Sequence, residues 1–581
     1  MTSLFTQPEL LATAAADTTQ IGSAISAAKA AAAGPTTGLV AAAQDEVSAL
    51  TTNLFSSYAQ EYQAILAKAT AFHDEFAQLL ATAGNAYAQV ESEIAGTLGL
   101  TGAASSSSVV TAVSNAGDPA VSQILFMAGT GSPNPTTSYI NSVYNLYLNN
   151  PNNMYTPGVG ALTPFFNAVT TAEGGYLLTG TKDLTYNISL ARGVTSLENQ
   201  IAQSFAGGAT SLGVFGYSQS AQIVSLAMPQ LATTYSPSQL HFTLIGDPLA
   251  PNGGLFARFP GLELPSIGVT FGGGTPSDLF PTTIYTLEYD GFADFPVYPI
   301  DIFSDVNALL GILFVHGTYP TLTATQVATG FLLPGSASLG TTDSMTNYYL
   351  IPTPNLPLLD PVRLIPYIGN PIADLLQPDL TYLVNWGYGN PAYGYSTGPA
   401  NIITPFGFLP PLSATTALVP DLINGIPQGI NAATNAFIAE GPPVLPSLSS
   451  LTSAFTGATA GSGALALTPT GIISAIQTAN TNFASTFAND LSTAYGTLQP
   501  TADLATALAI SLPSYDVNLF LDGITQAIDG QPLQGLVNAF GEPIAANVGI
   551  TTLAAGFELI NIENALDTII TGNPNPGVGT N

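Results

Sequence analysis

The chain of 581 residues contains no cysteine, which excludes disulfides, thiol nucleophiles and cysteine-ligated zinc. Positive charge is nearly as scarce, with 6 Lys plus Arg against 36 Asp plus Glu and a formal net charge of -30. Six scattered cations cannot line a phosphate groove, and so negative a surface repels nucleic acid and disfavours anionic membranes. The three histidines, His73, His241 and His316, are too far apart in sequence for a local metal motif such as His-Glu-x-x-His, so neither a metal nor another cofactor is expected. No uninterrupted apolar run reaches the roughly 18 to 20 residues that cross a bilayer, and no transmembrane segment is expected. The first cation is Lys29, so the start lacks the positive charge of a signal peptide, and any export would use another route.

What the chain does have is apolar material, 46% hydrophobic residues with a mean hydropathy of +0.34, enough for several cores and against wholesale disorder. Over the first hundred residues Leu10, Ala14, Ile21, Ile25 and Ala28 recur at helical spacing behind Pro8, and this helix stops at Gly34-Pro35. A longer stripe from Val47 through Leu54, Ile65, Phe72 and Leu79 to Ile94 predicts a second helix that folds back as a hairpin. Two helices alone bury little, so the stripe calls for a partner helix or for packing on the rest of the chain.

The residues Pro8-Glu9, Ile21-Gly22-Ser23, Gly34-Pro35-Thr36-Thr37 and Ala71-Phe72-His73-Asp74 make this hairpin, residues 1–98, resemble the PE domain of mycobacterial PE proteins. Tyr87 and Glu91 share one helix face and resemble that family's Tyr-x-x-x-Asp/Glu type VII secretion signal. The resemblance implies export by the type VII machinery, a PPE-family helical partner, and a protein secreted to the cell wall or cell surface.

A Ser/Ala/Gly-rich linker, 99–119, precedes a second domain over 120–398. Short apolar runs at Gln123 to Ala128, Ser211 to Tyr217, His241 to Ile245 and Thr283 to Tyr289 read as strands, and Asn187 to Phe205 reads as a helix between the first two. Strands alternating with helices predict a mostly parallel α/β sheet. Residues 399–581 form an Ala/Leu/Pro-rich extension without Lys or Arg, largely helical or irregular, with short helices expected in Ile473 to Leu491, Asp516 to Ile528 and Ile550 to Ile570. It could pack on the sheet, cover the site or touch an envelope surface. The proline-rich stretch Asn355 to Leu380 reads equally as a lid or as core packing.

Gly216-Tyr217-Ser218-Gln219-Ser220 follows an apolar strand and precedes the helix-like Ala221 to Met228, the context of a nucleophile elbow, with Ser220 in place of the usual glycine. A base and an acid must follow Ser218. His241 opens a strand, whereas His316 opens the loop His316-Gly317-Thr318-Tyr319 and is the expected general base. Asp290 and Asp294 both follow the strand at Thr283 to Tyr289. The Gly-x-x-Asp spacing before Pro296 favours Asp294 as the acid, with Asp290 as the alternative and Asp247 as structural. The backbone of Gln219, and Thr130 in Gly129-Thr130-Gly131, are the expected oxyanion donors.

With Gly246-Asp247-Pro248, Pro251-Asn252-Gly253-Gly254, Tyr289-Asp290-Gly291 and His316-Gly317, these pieces resemble the PE-PPE domain, a cutinase-like serine α/β hydrolase that also carries Ser at the position of Ser220. The implied activity is that of an esterase or lipase acting on acyl esters, lipid or envelope-derived, through an acyl-enzyme. Acyl transfer onto envelope glycolipids is the alternative, and a non-catalytic envelope interaction protein a second.

Overall fold

The computed structural model describes residues 119–440 and 496–571, apart from 159, 181–182, 338 and 340–343, together with a few isolated positions. The chain divides into two units, Met1–Val110 and Thr111–Asn581, and the second is the one described. The expected hairpin, with Tyr87 and Glu91, and the helix expected over Ile473 to Leu491 lie outside the described residues apart from isolated positions.

Strands β1 (Gln123–Phe126), β2 (Phe166–Ala168), β3 (Leu212–Tyr217), β4 (Leu240–Ile245), β5 (Thr282–Leu287), β6 (Phe331–Leu332) and β7 (Thr346–Ile351) form one sheet in the order β6-β7-β5-β4-β3-β1-β2. Every pairing is parallel except β6 with β7, so the expected α/β class with a mostly parallel sheet is present. The strands are covered on both faces, which is why they read as continuous apolar runs rather than as an alternation. The two-residue period of the pleat still sorts their side chains. Val214, Leu244 and Ile284 enter one core, while Phe215, Ile245 and Tyr285 enter the other.

Helix α1 (Tyr186–Ala206) buries Leu190, Leu197 and Ile201 on one stripe, and packs beside α2 (Gln219–Leu231), which carries Ile223 and Val224 into the same core. Helix α3 (Ile302–Phe314) is capped by the Asp301 carboxylate, which accepts from the Phe303 amide at 3.1 Å. It runs into a 3-10 turn, His316–Thr321. The order in which strands are added reverses at β1: the path from β1 leads outward to β2, then crosses back to β3, β4 and β5 on the other side. The carboxyl ends of β1 and β3 therefore flank a topological switch point, where α/β sheets place their ligand sites.

Beyond the sheet lie α4 (Gly369–Trp386), α5 (Leu412–Glu440), α6 (Leu498–Thr506), a π-helical stretch Ala507–Ser511, α7 (Leu512–Ile528) and α8 (Pro532–Thr571). The extension packs on the sheet domain. Leu504, Leu512, Tyr515, Ile550 and Leu553 share a core with Phe256, Phe259 and Phe295. The buried Arg258 adds a polar tie, its Nη1 donating to the Thr404 carbonyl at 2.7 Å and to Asn252 Oδ1 at 3.1 Å. Contrary to the expectation of no transmembrane segment, two apolar helical stretches among the described residues, Leu498–Ile528 and Pro532–Ala565, are long and apolar enough to cross a membrane by length and composition; polar residues interrupt both, so neither forms an unbroken apolar run. One side of each is committed to the core just described. In the stretch 355–380, Leu356 and Leu359 are buried beside Val384 and Tyr388, whereas Leu364 and Ile365 face outward.

Candidate active site

Ser218 stands between β3 and α2 with φ 58° and ψ -118°, a left-handed conformation that a serine adopts only when its surroundings enforce it. The close approach of strand to helix is what enforces it. A Cβ on Gly216 would lie 2.8 Å from the Ser220 carbonyl oxygen and 3.0 Å from Ala221 Cα, so glycine is required there. At position 220, the serine hydroxyl accepts from the Tyr217 amide at 2.8 Å and lies 3.0 Å from the Tyr217 carbonyl oxygen as its donor. The departure from glycine thus ties the elbow together.

Ser218 Oγ lies 2.7 Å from His316 Nε2. On the far side of the ring, Nδ1 is 2.8 Å from both carboxylate oxygens of Asp290. All three are buried. The expectation that Asp294 meets the imidazole is therefore corrected. Asp294 Oδ2 accepts from the Tyr289 amide at 3.0 Å and its own amide donates to the Asp290 carbonyl at 2.6 Å, so it braces the turn while Asp290 faces His316. Burial holds the Asp294 carboxyl well above the usual range. The turn follows from φ 64° at Tyr289. A Cβ on Gly291 would run into the Ala308 carbonyl of α3, so the Asp290 loop lies against the helix that delivers His316.

Asp290 is held independently of the histidine, accepting from the Phe292 amide at 3.0 Å and from the Tyr319 hydroxyl at 2.8 Å. That same hydroxyl accepts from the Leu287 amide at 2.8 Å, and burial together with the Asp290 charge pushes it up, so it remains a donor. The Tyr217 hydroxyl donates to the His316 carbonyl at 2.6 Å, and its ring stacks on the imidazole with centroids 5.5 Å apart. The imidazole is fixed from three sides.

Gly129-Thr130-Gly131 follows β1 and abuts the elbow: a Cβ on Gly129 would lie 3.1 Å from Ser218 Cβ. Thr130 Oγ1 donates to Gln219 Oε1 at 3.1 Å, and Gln219 Nε2 donates to the Gly174 carbonyl at 3.0 Å. Gln219 opens α2, where the first amides lack intrahelical acceptors and the helix dipole is positive. The structure thus brings Thr130 and Gln219 together beside Ser218. Of the other candidates, His241 lies on β4, where burial lowers it from its usual range. Asp247 is buried and accepts from Thr275 and the Leu249 amide.

Two residues at the site escape the sequence reading. Tyr319 is one, visible only as part of His316-Gly317-Thr318-Tyr319. Glu173 is the other, with φ 44°, its carbonyl accepting from the Gly131 amide at 2.7 Å. Its Oε1 accepts from Thr171 Oγ1 at 2.5 Å while Oε2 is buried without a partner. Burial raises its carboxyl to about 8, so it is protonated at neutral pH. The only signal for it was the glycine pair that follows it, Gly174-Gly175.

The model of the PE-PPE domain matches residues 164–389, and that of the PE family matches 4–94. Two Mycobacterium tuberculosis relatives are matched over most of their own length. Esterase PE16 is 38% identical over 73% of this chain and 79% of its own, and PE family protein PE3 is 41% identical over 74% and 88%. The chain is a PE family protein with a PE-PPE domain. A PPE family protein of the same organism, PPE28, is 44% identical over 77% of this PE protein, which spans 66% of that relative's length.

Proposed function

We propose that this PE protein is a serine esterase or lipase that hydrolyses acyl esters, lipid or envelope-derived. The observation that carries the reading is the continuous run from Ser218 Oγ through His316 to Asp290, at 2.7 and 2.8 Å, on an elbow at the switch point of the sheet. Similarity to a protein named an esterase supports it.

In this reading His316 Nε2 takes the Ser218 proton as Oγ attacks the ester carbonyl, and Asp290 keeps Nδ1 protonated and stabilises the imidazolium. The amides of Gln219 and Thr130 receive the oxyanion, with the α2 dipole adding to their field. The proton then passes to the leaving alkoxide, which departs as the alcohol and leaves an acyl-enzyme on Ser218. Water, activated by the same imidazole, attacks the acyl carbonyl; the carboxylic acid leaves and Ser218 recovers its proton.

The test is hydrolysis of p-nitrophenyl esters by the full chain. Ser218→Ala is expected to remove activity down to background, and equal rates in both proteins would refute the reading. The match to the PE family over residues 4–94 supports two further proposals. One is export by the type VII machinery to the cell wall or surface, read by loss of the protein from the extracellular fraction in Tyr87→Ala. The other is pairing with a PPE-family helical partner, read by co-purification, which a monomeric chain in the partner's presence would refute.

A further inference from the structure

Ser218 opens into an apolar cleft whose empty space, counted together with the open solvent at its mouth, is about 950 Å³. Its sheet-domain walls include Phe256, Ile267, Phe271 and Phe292. The opposite wall comes from the C-terminal extension, which lies beyond the residues matched as the PE-PPE domain. Leu504, Ala507 and Leu508 are spaced i, i+3, i+4 along α6 and the π-helical stretch. Ile550, Leu553, Ala554 and Phe557 are spaced i, i+3, i+4, i+7 along α8. Each set is one face of a helix.

Four lining residues carry polar side-chain groups, and three of these are engaged elsewhere. Tyr176 donates to Asp503 Oδ2 at 2.7 Å, Tyr186 to Gln222 Oε1 at 2.7 Å, and Thr130 to Gln219. The fourth is Ser218. A ligand in this cleft finds the nucleophile at one end and otherwise apolar walls, and any hydroxyl or charge on it would be desolvated without compensation. Tyr176 with Asp503 also fastens the extension to the sheet domain beside the cleft.

We propose that the C-terminal helices are the acyl-binding wall of the active site, holding an unsubstituted aliphatic chain against the sheet domain, with the small side chains Ala507 and Ala554 leaving the space that a long chain occupies. The proposal rests on the esterase reading of Ser218 but is separable from it. A chain two carbons long would reach little of this wall, whereas a twelve-carbon chain would lie along it.

The experiment uses the full-length protein and measures kcat/KM for p-nitrophenyl acetate, butyrate, octanoate and dodecanoate. Ala554→Phe, and independently Ala507→Leu, are expected to lower the dodecanoate-to-acetate ratio about tenfold, the worth of the buried methylenes displaced. Leu553→Ala is expected to shift the optimum towards longer chains. Leu559→Ala, on the exposed side of α8, serves as the control and is expected to leave the ratio unchanged. A structural role alone would scale every ester together, and that result, or an unaltered ratio in soluble Ala554→Phe or Ala507→Leu, overturns the proposal. If wild type hydrolyses no ester, the esterase reading fails, and the wall is then tested by displacement of a fluorescent fatty acid with dodecanoate from Ser218→Ala protein. Affinity about tenfold weaker on adding Ala554→Phe supports the proposal, and equal affinity or no binding overturns it.

Discussion

Tyr289 shows how one backbone angle decides which of two carboxylates serves the histidine. Its φ of 64° brings the chain off β5 so that Asp290 faces His316, and the following turn folds Asp294 beneath. Asp290→Asn is therefore expected to lower kcat/KM by roughly 10³- to 10⁴-fold with the fold intact, because an amide supports the wrong imidazole tautomer. Asp294→Asn acts only through the turn and is expected to cost less than about tenfold in rate, as general acid–base terms stay in place. Esterase kinetics on the two variants separates them, and the reverse order would restore Asp294 as the acid. Ser220→Ala tests the elbow, since losing the bond from the Tyr217 amide is expected to cost about 1 to 3 kcal/mol of stability, measured by urea unfolding. Ser218 and His316, which the structure brings within 2.7 Å of each other, were legible as a pair because residue type and order are sequence properties. The carboxylate that faces the imidazole was not, because both candidates follow the same strand and only a turn angle separates them.

Among the elements, those with their own periodicity were readable to within a residue or two. The helix expected from Asn187 runs over Tyr186–Ala206, and the strand expected at Thr283 to Tyr289 over Thr282–Leu287. Strands β2, β6 and β7 were missed. β2 and β6 are only three and two residues long, too short to show a period, and β7, Thr346–Ile351, mixes Thr, Asn and Tyr with its aliphatics. The stretch read as a possible lid, Asn355 to Leu380, contributes no residue to the lining of the cleft, and the wall comes instead from α6, the π-helical stretch and α8. The periodicity over Ile550 to Ile570, within α8, was visible in the sequence while α6 was not read as a helix, and a periodic stripe does not say what it packs against. Leu512, 2% exposed in the core shared with Phe256 and Phe259, decides whether the extension is part of the fold. Leu512→Ala is expected to destabilise the sheet domain by about 2 to 5 kcal/mol. Leu521→Ala, at a position 52% exposed, is expected to stay within about 0.5 kcal/mol. Denaturant unfolding monitored together with esterase activity reads both. If Leu512→Ala left the activity midpoint where it stands in wild type, the extension would be an independent appendage.

For the whole molecule, the surplus of acid over base governs stability through carboxyls that folding takes out of water. Burial raises Asp247 to about 6, Asp301 to about 7 and Glu173 to about 8, and holds Asp294 and Asp305 well above their usual range. Both Asp305 oxygens and one oxygen each of Glu173 and Asp301 have no hydrogen-bond partner, so ionising them inside the protein is unfavourable. In the unfolded chain these groups lose their protons near pH 4, whereas the folded protein keeps them. The folded state then binds more protons, and stability falls as pH rises. The contribution is complete below the unfolded values and is lost step by step as pH climbs through about 6, 7 and 8. Repulsion within a chain of net charge -30 grows in the same direction as carboxyls ionise. The melting temperature at pH 5.5 is expected to exceed that at pH 8.5 by on the order of 5 °C, measured by calorimetry at constant ionic strength. Glu173→Gln replaces an ionisable group with a neutral one of similar shape and is expected to make the decline shallower from its unfolded value up to about pH 8, most visibly above about pH 7, where Asp247 and Asp301 no longer contribute. A melting temperature that rose with pH, or a slope unchanged in Glu173→Gln, would mean that water reaches these carboxyls in the folded protein and that the loop carrying Thr130 is not sealed against solvent.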